Sequence, residues 1–422
     1  MKRWTTMAAG AASVALLATG CAGTGGGSAD GGDADTLTVW TMDGSLSDEH
    51  AAALHAQFEE EHGVQVDHVV QQWNGIQDLL TTALASNNPP DVIELGNTQN
   101  PAYSAEGVLL DLSDWKADLA GDQWLDGLAV SGEYEDAVYG VPLLAANRVV
   151  VYRTDLFEQA EVEPPTSWDE WITAIETLED VHGDDSGFQS LYLPGQSWYA
   201  LLSLIWDNGG EIATESGGTW TGTLDSPESM AGIEAYRQLV ETSDTTAAMD
   251  TDEAEPQQFE VFAGGQVAQM IALPWEVASA IDAAPELAEN VSAFPIPSLD
   301  GGPAPVFLGG QNLAVPAGTN SPELAKAYLE MFTSADYQTM LAEAGAVPGA
   351  STDTSPLEDN PTTAAMAEAS AHGRAVPASP NWAAVEVQNP LKTMLTAYLT
   401  DTASLEDAAA DASAALTETL ND

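Results

Sequence analysis

From about residue 37 the spacing of apolar positions along the chain alternates between two periods. Leu37-Thr38-Val39-Trp40 alternates as a short strand. Ser47 to His62 then places Ala51, Leu54 and Phe58 on one helical face, with Ser47 as the cap. Val64-Gln65-Val66 starts a second strand, Ile76 to Ser86 reads as a second helix, and Asp91 to Leu95 as a third strand. Strands alternating with helices predict βαβ units and a largely parallel sheet. The pattern continues with a strand at Val149–Tyr152, a helix over Ser167–Asp180, and helices around Tyr199–Trp206 and Pro227–Thr242. A further strand is expected at Gln266–Leu273, and Ala-rich helices close the chain, among them Ser404–Leu420. No internal repeat interrupts this order.

The segment before the first strand has a different character. Met1-Lys2-Arg3 is basic, and Met7 to Thr19 is an apolar run too short to span a bilayer. It ends in Ala18-Thr19-Gly20-Cys21, which resembles the bacterial lipoprotein box, where cleavage precedes a cysteine that is then acylated. Residues 1–20 are therefore expected to be a signal peptide and Cys21 the lipidation site. Residues 21–35 are Gly- and Asp-rich without apolar periodicity, the composition of a flexible tether. Cys21 is the one cysteine of the chain, so no intramolecular disulfide can form. No later stretch is apolar for long enough to suggest a membrane span.

Composition narrows the function classes. A length of 422 residues suggests two or three domains. Asp and Glu number 66 against 9 Lys and Arg, for a formal net charge of −57. Such a surface repels phosphate backbones and anionic lipid, which excludes nucleic acid as a partner. The charge is spread along the chain, as suits solubility in a salty or crowded exterior. There is no phosphate-binding Gly-rich loop, no Gly-x-Ser-x-Gly elbow and no HExxH pair. His50, His55 and His62 are spaced as a polar face and not as metal ligands, so neither metal nor cofactor is expected. With so many acids, close carboxylate pairs carry no information about glycosidase chemistry. The informative residues are 12 tryptophans and several amide-rich loops, the groups that pack on the C–H faces of a sugar and bond its hydroxyls.

Several segments, in order, carry a resemblance. They are LTVWTMDG at 37–44, PPDVIELGNTQNPAYSAEGVLLDL at 89–112, YGVPLLAANRVVVYRTDLF at 139–157 and PPTSWDEW at 164–171. LPWEVASAI at 273–281, FLGGQNLAVPAGT at 307–319, SPELAKAYLEMFTS at 321–334 and PNWAAVE at 380–386 continue the series. Together they resemble the extracellular solute-binding proteins of carbohydrate ABC importers, the maltose-binding-protein-like family. The resemblance implies an α/β, two-lobe periplasmic-binding-protein fold of type II-like form, with the ligand in an interlobe cleft. Lobe 1 is expected to comprise 36–144 plus 311–346, and lobe 2 to comprise 145–310 plus 347–422. Chain crossings are expected near Pro142–Asn147, Pro295–Gly310 and Gly345–Thr352, where Pro and Gly suit irregular backbone.

The same resemblance implies the site residues. Asp43 lies on the loop after the first strand, while Trp40 reads as core. Asn97 and Gln99 follow Glu94-Leu95-Gly96 in the loop that contacts sugar hydroxyls, with Glu94 itself a candidate. Leu95 stands at a position that is aromatic in maltose-type members, and Trp73 is the candidate to supply that platform. Asn147 is expected to face the cleft, and Arg148 and Arg153 to pair with carboxylates. Trp206 and Trp382 are candidate linings, and Trp275 matches a stacking aromatic, with Glu276 beside it as a hydroxyl acceptor. Gly310 is expected to let backbone approach the ligand, with Asn312 as a side-chain contact. Trp168 and Trp171 read as structural. The implied function is capture of a neutral mono- or oligosaccharide by hinge closure and its delivery to membrane permease subunits, without catalysis. The chain is expected to act as a monomer, lipid-anchored on the outer face of the cell membrane. The amide-rich ELGNTQ loop resembles members serving N-acetylglucosamine or chitobiose. A secreted glycoside-active enzyme, or the same fold holding a non-sugar solute, is the alternative.

Overall fold

The computed structural model describes residues 36–350 and 354–422. The predicted elements form where local pattern and capping agree. Strand β1 is Thr36–Met42, followed by a helix over Asp48–His62. The Ser47 hydroxyl accepts the His50 N–H at 3.2 Å, and Gly63 closes the other end with φ 70°. Ala51, Leu54 and Phe58 are its buried face. Strand β2, Gln65–Gln71, a helix over Ile76–Leu84 and strand β3, Val92–Gly96, complete two parallel crossovers.

Strand β4, Val141–Ala146, leads through Asn147 and Arg148 directly into β5, Val149–Arg153. Strands β6, Gln269–Ala272, and β7, Val291–Phe294, follow long helical segments. Strand β8, Gly309–Ala314, and the short β9, Val347–Pro348, return to the first sheet. One sheet has the order β9-β4-β8-β3-β1-β2 and a second has β6-β5-β7. In the first, β1 pairs with β2 and β3 in parallel, whereas β8 is antiparallel to both β3 and β4. Strands β1 to β4 thus share one direction, and β8 and β9 oppose it. The second sheet is antiparallel throughout. The expectation of a largely parallel sheet therefore holds only for β1 to β4. Strand β8 comes back from the other sheet without a covering helix between, and such a return leaves an antiparallel ladder. Strand β9, reached from β8 through the helices Pro322–Phe332 and Ala335–Glu343, runs with β8 and so opposes β4 as well.

Both faces of the first sheet are covered. Leu37, Val39, Val92 and Leu313 face one apolar cluster, and Met42, Ile93, Leu95 and Ala314 the other. The second sheet is buried in a larger core with the helices Trp168–His182, Trp198–Asp207, Pro227–Thr242 and Leu405–Asn421. Trp168 and Trp171 belong to it as expected, their rings meeting edge-on at 5.7 Å. The first passage between sheets is not irregular, as Pro142 suggested, because Val141–Ala146 is an interior strand and only Asn147 and Arg148 link the sheets. In the second, Val306–Phe307 pairs with Gly373–Arg374 before β8 begins. In the third, Val347–Pro348 adds to β4. Among the described residues no helix is long and apolar enough to cross a membrane. Cys21, the signal segment and the tether lie outside the described residues.

Candidate functional site

Because β1 to β4 run the same way, their carboxyl ends share one edge, where loops of α/β sheets present ligand-binding groups. Asp43 follows β1, Trp73 follows β2, Asn97 and Gln99 follow β3, and Asn147 follows β4. Two of these loops are tied together: Trp73 Nε1 donates to the Asp43 carbonyl at 3.3 Å, and the Asp43 N–H donates to the Gln71 carbonyl at 2.8 Å. The Trp73 ring stays 41% exposed. Asn97 Nδ2 donates to the Leu308 carbonyl at 3.0 Å, which fixes the start of β8 against the loop after β3. On the other side of β8, Gly309 pairs with Ala146. Gln99 and Asn147 therefore flank the first residues of β8 from its two neighbouring strands.

The second sheet brings its own residues to the same place. Ala272 of β6 pairs with Val149 and Phe294 of β7 with Val150, so both strands end beside the start of β5. Trp275 leaves the end of β6 there, 52% exposed, with Phe259 edge-on at 5.8 Å. Arg148 is held by Glu253 at 2.6 Å, and its guanidinium lies 4.3 Å over the Tyr199 ring. Tyr199 is stacked in turn on Phe307 at 5.0 Å and lies 3.8 Å from Trp198. Glu386 accepts from Trp382 Nε1 at 3.1 Å and from the Thr98 hydroxyl at 3.5 Å, which connects the loop after β3 to a helix of the second core.

The electrostatics of this region are those of dry surroundings. Burial raises the carboxyl pKa of Glu386 and of Glu276. Burial, with the Glu386 carboxylate adding to it, also raises the Tyr199 phenol. Several polar atoms here are buried without a protein partner: both amide atoms of Asn147, Gln99 Oε1, Arg148 Nε and Glu253 Oε2. Buried polar groups are nearly always paired. Five such atoms on four residues gather around one strand junction, which makes it the candidate place for a polar ligand.

Other expected site residues are placed elsewhere. Glu94 is buried with both oxygens engaged, one by the Met42 N–H at 2.8 Å and one by the Ser45 hydroxyl, so it anchors the loop after β1. Glu276 is likewise engaged by the Leu273 N–H at 2.8 Å and Gln258 Nε2 at 2.6 Å, and caps its own helix. Gly310 does bring backbone close, but to backbone: at φ 145° its missing side chain would strike the Leu144 carbonyl. Asn312 points into the first sheet's interior, where its Nδ2 donates to the Ser131 hydroxyl at 3.2 Å. Trp382 is fully buried at a helix start and offers no free ring face. Trp206 is buried beneath the Arg374 guanidinium, 5.2 Å away. Both rings are buried in a core assembled from segments distant in the chain, which no local pattern reports. Conversely, Tyr199, Glu253, Phe259 and Glu386 were not singled out from the sequence. Glu386 closes the PNWAAVE segment, and Trp198-Tyr199 is an aromatic pair at a helix start, so those two carried a usable signal.

Comparison with known proteins matches this architecture. The family model described as bacterial extracellular solute-binding protein matches residues 41–339. The diacetylchitobiose binding protein DasA of Streptomyces coelicolor is 40% identical over 375 residues, covering 88% of this chain and 87% of the relative. A mannitol-binding protein of Pseudomonas aeruginosa is 26% identical over 74% of this chain and 71% of its own. Among solved structures, the GacH receptor of Streptomyces glaucescens, studied unliganded and with acarbose, superposes with TM-score 0.71 at 25% identity, covering 92% of this chain and 98% of that one. The sugar-binding protein MalE of Xanthomonas citri gives TM-score 0.80 at 19% identity over 91% of this chain and 97% of that one. Family match, near-complete coverage and two sheets joined by short passages agree, and the chain belongs to the bacterial extracellular solute-binding proteins, with their two-lobe α/β fold.

Proposed function

We propose that this protein captures a neutral N-acetylated sugar, of the N-acetylglucosamine or chitobiose type, for an ABC importer. The observation that carries the reading is the group of unpartnered buried polar atoms on Gln99, Asn147, Arg148 and Glu253 beside the exposed Trp275 ring. The 40% identity to a diacetylchitobiose binding protein supports the same ligand class. Amide and hydroxyl partners with an aromatic face suit a sugar, and the −57 net charge disfavours an anionic ligand. In this reading residues 36–144 plus 311–346 form one lobe and 145–310 plus 347–422 the other, with the strand ends Ala145–Ala146, Gly309–Gly310 and Val347–Pro348 of the first sheet at the passages between them. Asp43, Trp73, Asn97 and Gln99 approach the ligand from the first, and Trp275, Tyr199 and Arg148 from the second. The ligand contacts both lobes only when they close, so its differential affinity shifts the open–closed equilibrium. The closed monomer then meets permease subunits in the membrane, to which acyl chains on Cys21 tether it.

Calorimetric titration with N,N′-diacetylchitobiose, N-acetylglucosamine, maltose and cellobiose tests the ligand class. Preferential binding of the acetylated sugars, recovered unchanged, is the expected result. Binding of maltose or cellobiose alone overturns the ligand class, and cleavage products overturn the binding-protein reading. Cys21→Ser is expected to release the protein from the membrane with affinity intact. Retention of that variant at the membrane removes the lipid anchor from the account.

A further inference from the structure

The acetamido group distinguishes an N-acetylated sugar from its plain hexose counterpart, and its geometry is restrictive. A secondary amide is trans, so its N–H and C=O point to opposite sides. A site that reads both must present an acceptor on one side and a donor on the other. Gln99 and Asn147 stand on opposite flanks of the first residues of β8, two strand spacings apart, or roughly 10 Å between backbones. Gln99 Oε1 is a buried acceptor without a protein partner, and Asn147 Nδ2 a buried donor without one. Asn147 is 1% exposed. Its backbone is held on both sides, by the Ala146–Gly309 pairing before it and the Val149–Ala272 pairing after it. Arg148, clamped between Glu253 and the Tyr199 ring, holds the next position as well. The backbone that carries the amide is therefore in place before any ligand arrives, which lowers the ordering cost of binding.

We infer that Gln99 and Asn147 together clasp the acetamido group, Gln99 Oε1 accepting its N–H and Asn147 Nδ2 donating to its carbonyl. Asn147 Oδ1 then accepts from the neighbouring ring hydroxyl. The inference rests on the ligand class proposed above and assigns its discrimination to two residues. A sugar with hydroxyl in place of acetamido leaves Asn147 Nδ2 buried and unpaired, and sites built to bond a substrate group reject analogues that lack it.

N,N′-diacetylchitobiose and cellobiose share a linkage and differ at the acetamido positions, so the ratio of their affinities isolates this recognition. Titrating both sugars into wild type, Asn147→Ala, Asn147→Asp and Gln99→Ala, with unfolding midpoints measured alongside, tests the pair. Each variant is expected to lose about tenfold to a hundredfold in affinity for diacetylchitobiose. Cellobiose affinity should change little in Asn147→Asp and Gln99→Ala, which keep the hydroxyl acceptor on residue 147, and should fall less than diacetylchitobiose affinity in Asn147→Ala, so the ratio falls in all three. Asn147→Asp keeps the shape and an acceptor but not the donor, and should lose the preference as fully as the alanine variant. If Asn147→Ala does not fold, Asn147→Asp and Gln99→Ala carry the test. Equal losses for both sugars, or an unchanged ratio, overturn the clasp while leaving the proposed function standing. A wild type with no preference for diacetylchitobiose overturns both.

Discussion

At the scale of single residues, the same side-chain types serve opposite ends, and burial decides which. Trp275 keeps half its ring in solvent while Trp206 and Trp382 are sealed in the core. Trp275→Ala should therefore cost little folding stability and about 2 kcal/mol or more of binding, the range of interface hot spots. Trp382→Ala should instead destabilise by about 3–5 kcal/mol by leaving a cavity. Unfolding midpoints of the sugar-free variants, read beside calorimetric affinities, check both. Glu94 carries a second prediction at this scale. Burial raises its carboxyl pKa to about 7 despite the bonds from Ser45 and the Met42 N–H. A folded-state pKa above the unfolded one means that its contribution to stability is full below about 4.5 and is lost as pH rises through about 7. Glu94→Gln, uncharged at every pH, should gain stability relative to wild type as pH increases from about 5 to 8. A difference in midpoint that does not vary with pH would remove the strained carboxylate from this account.

At the scale of elements, strand β8 holds the two halves of the site together. It lies between β3 and β4, and its register shifts between Gln311 and Asn312. That irregularity sits beside Gly310, whose φ of 145° and close approach to the Leu144 carbonyl admit no side chain. Gly310→Ala must push β8 off β4 or abandon this backbone conformation, at a cost of about 3 kcal/mol or more. Because Gly309 pairs with Ala146 and Leu308 holds Asn97, the displacement should also loosen sugar binding. Denaturant midpoints and affinity measured on the variant should fall together. Loss of stability with affinity intact would show that the strand junction and the ligand groups are independent.

At the scale of the whole molecule, charge dominates. Every Lys and Arg among the described residues is already ion-paired with a carboxylate. The remaining acids repel one another across the surface, and salt screens that repulsion, with a Debye length of about 10 Å at 0.1 M and 3 Å at 1 M. The thermal midpoint should accordingly rise with sodium chloride over that range. A midpoint that falls with salt would mean that the ion pairs outweigh the excess negative charge.

The sequence by itself determined what depends on neighbours in the chain. Ser47 capping the Asp48–His62 helix, the buried triad Ala51, Leu54 and Phe58, the early βαβ order and the acidic surface are all local or summed properties. The loops carrying Asp43, Trp73, Asn97 and Gln99 were legible for the same reason, since a loop after a parallel strand reaches the carboxyl edge wherever the sheet lies. Tertiary structure decided the rest. The direction of β8 was set by where the chain returns from the second sheet, which no periodicity encodes. Glu94 and Glu276 had their oxygens taken by backbone N–H groups that only the folded loops bring near. The cluster of Arg148, Tyr199, Glu253 and Glu386 joins residues far apart along the chain. Whether a tryptophan is left exposed or fills the core was settled by which distant segments cover it, because burial is a property of the packed whole.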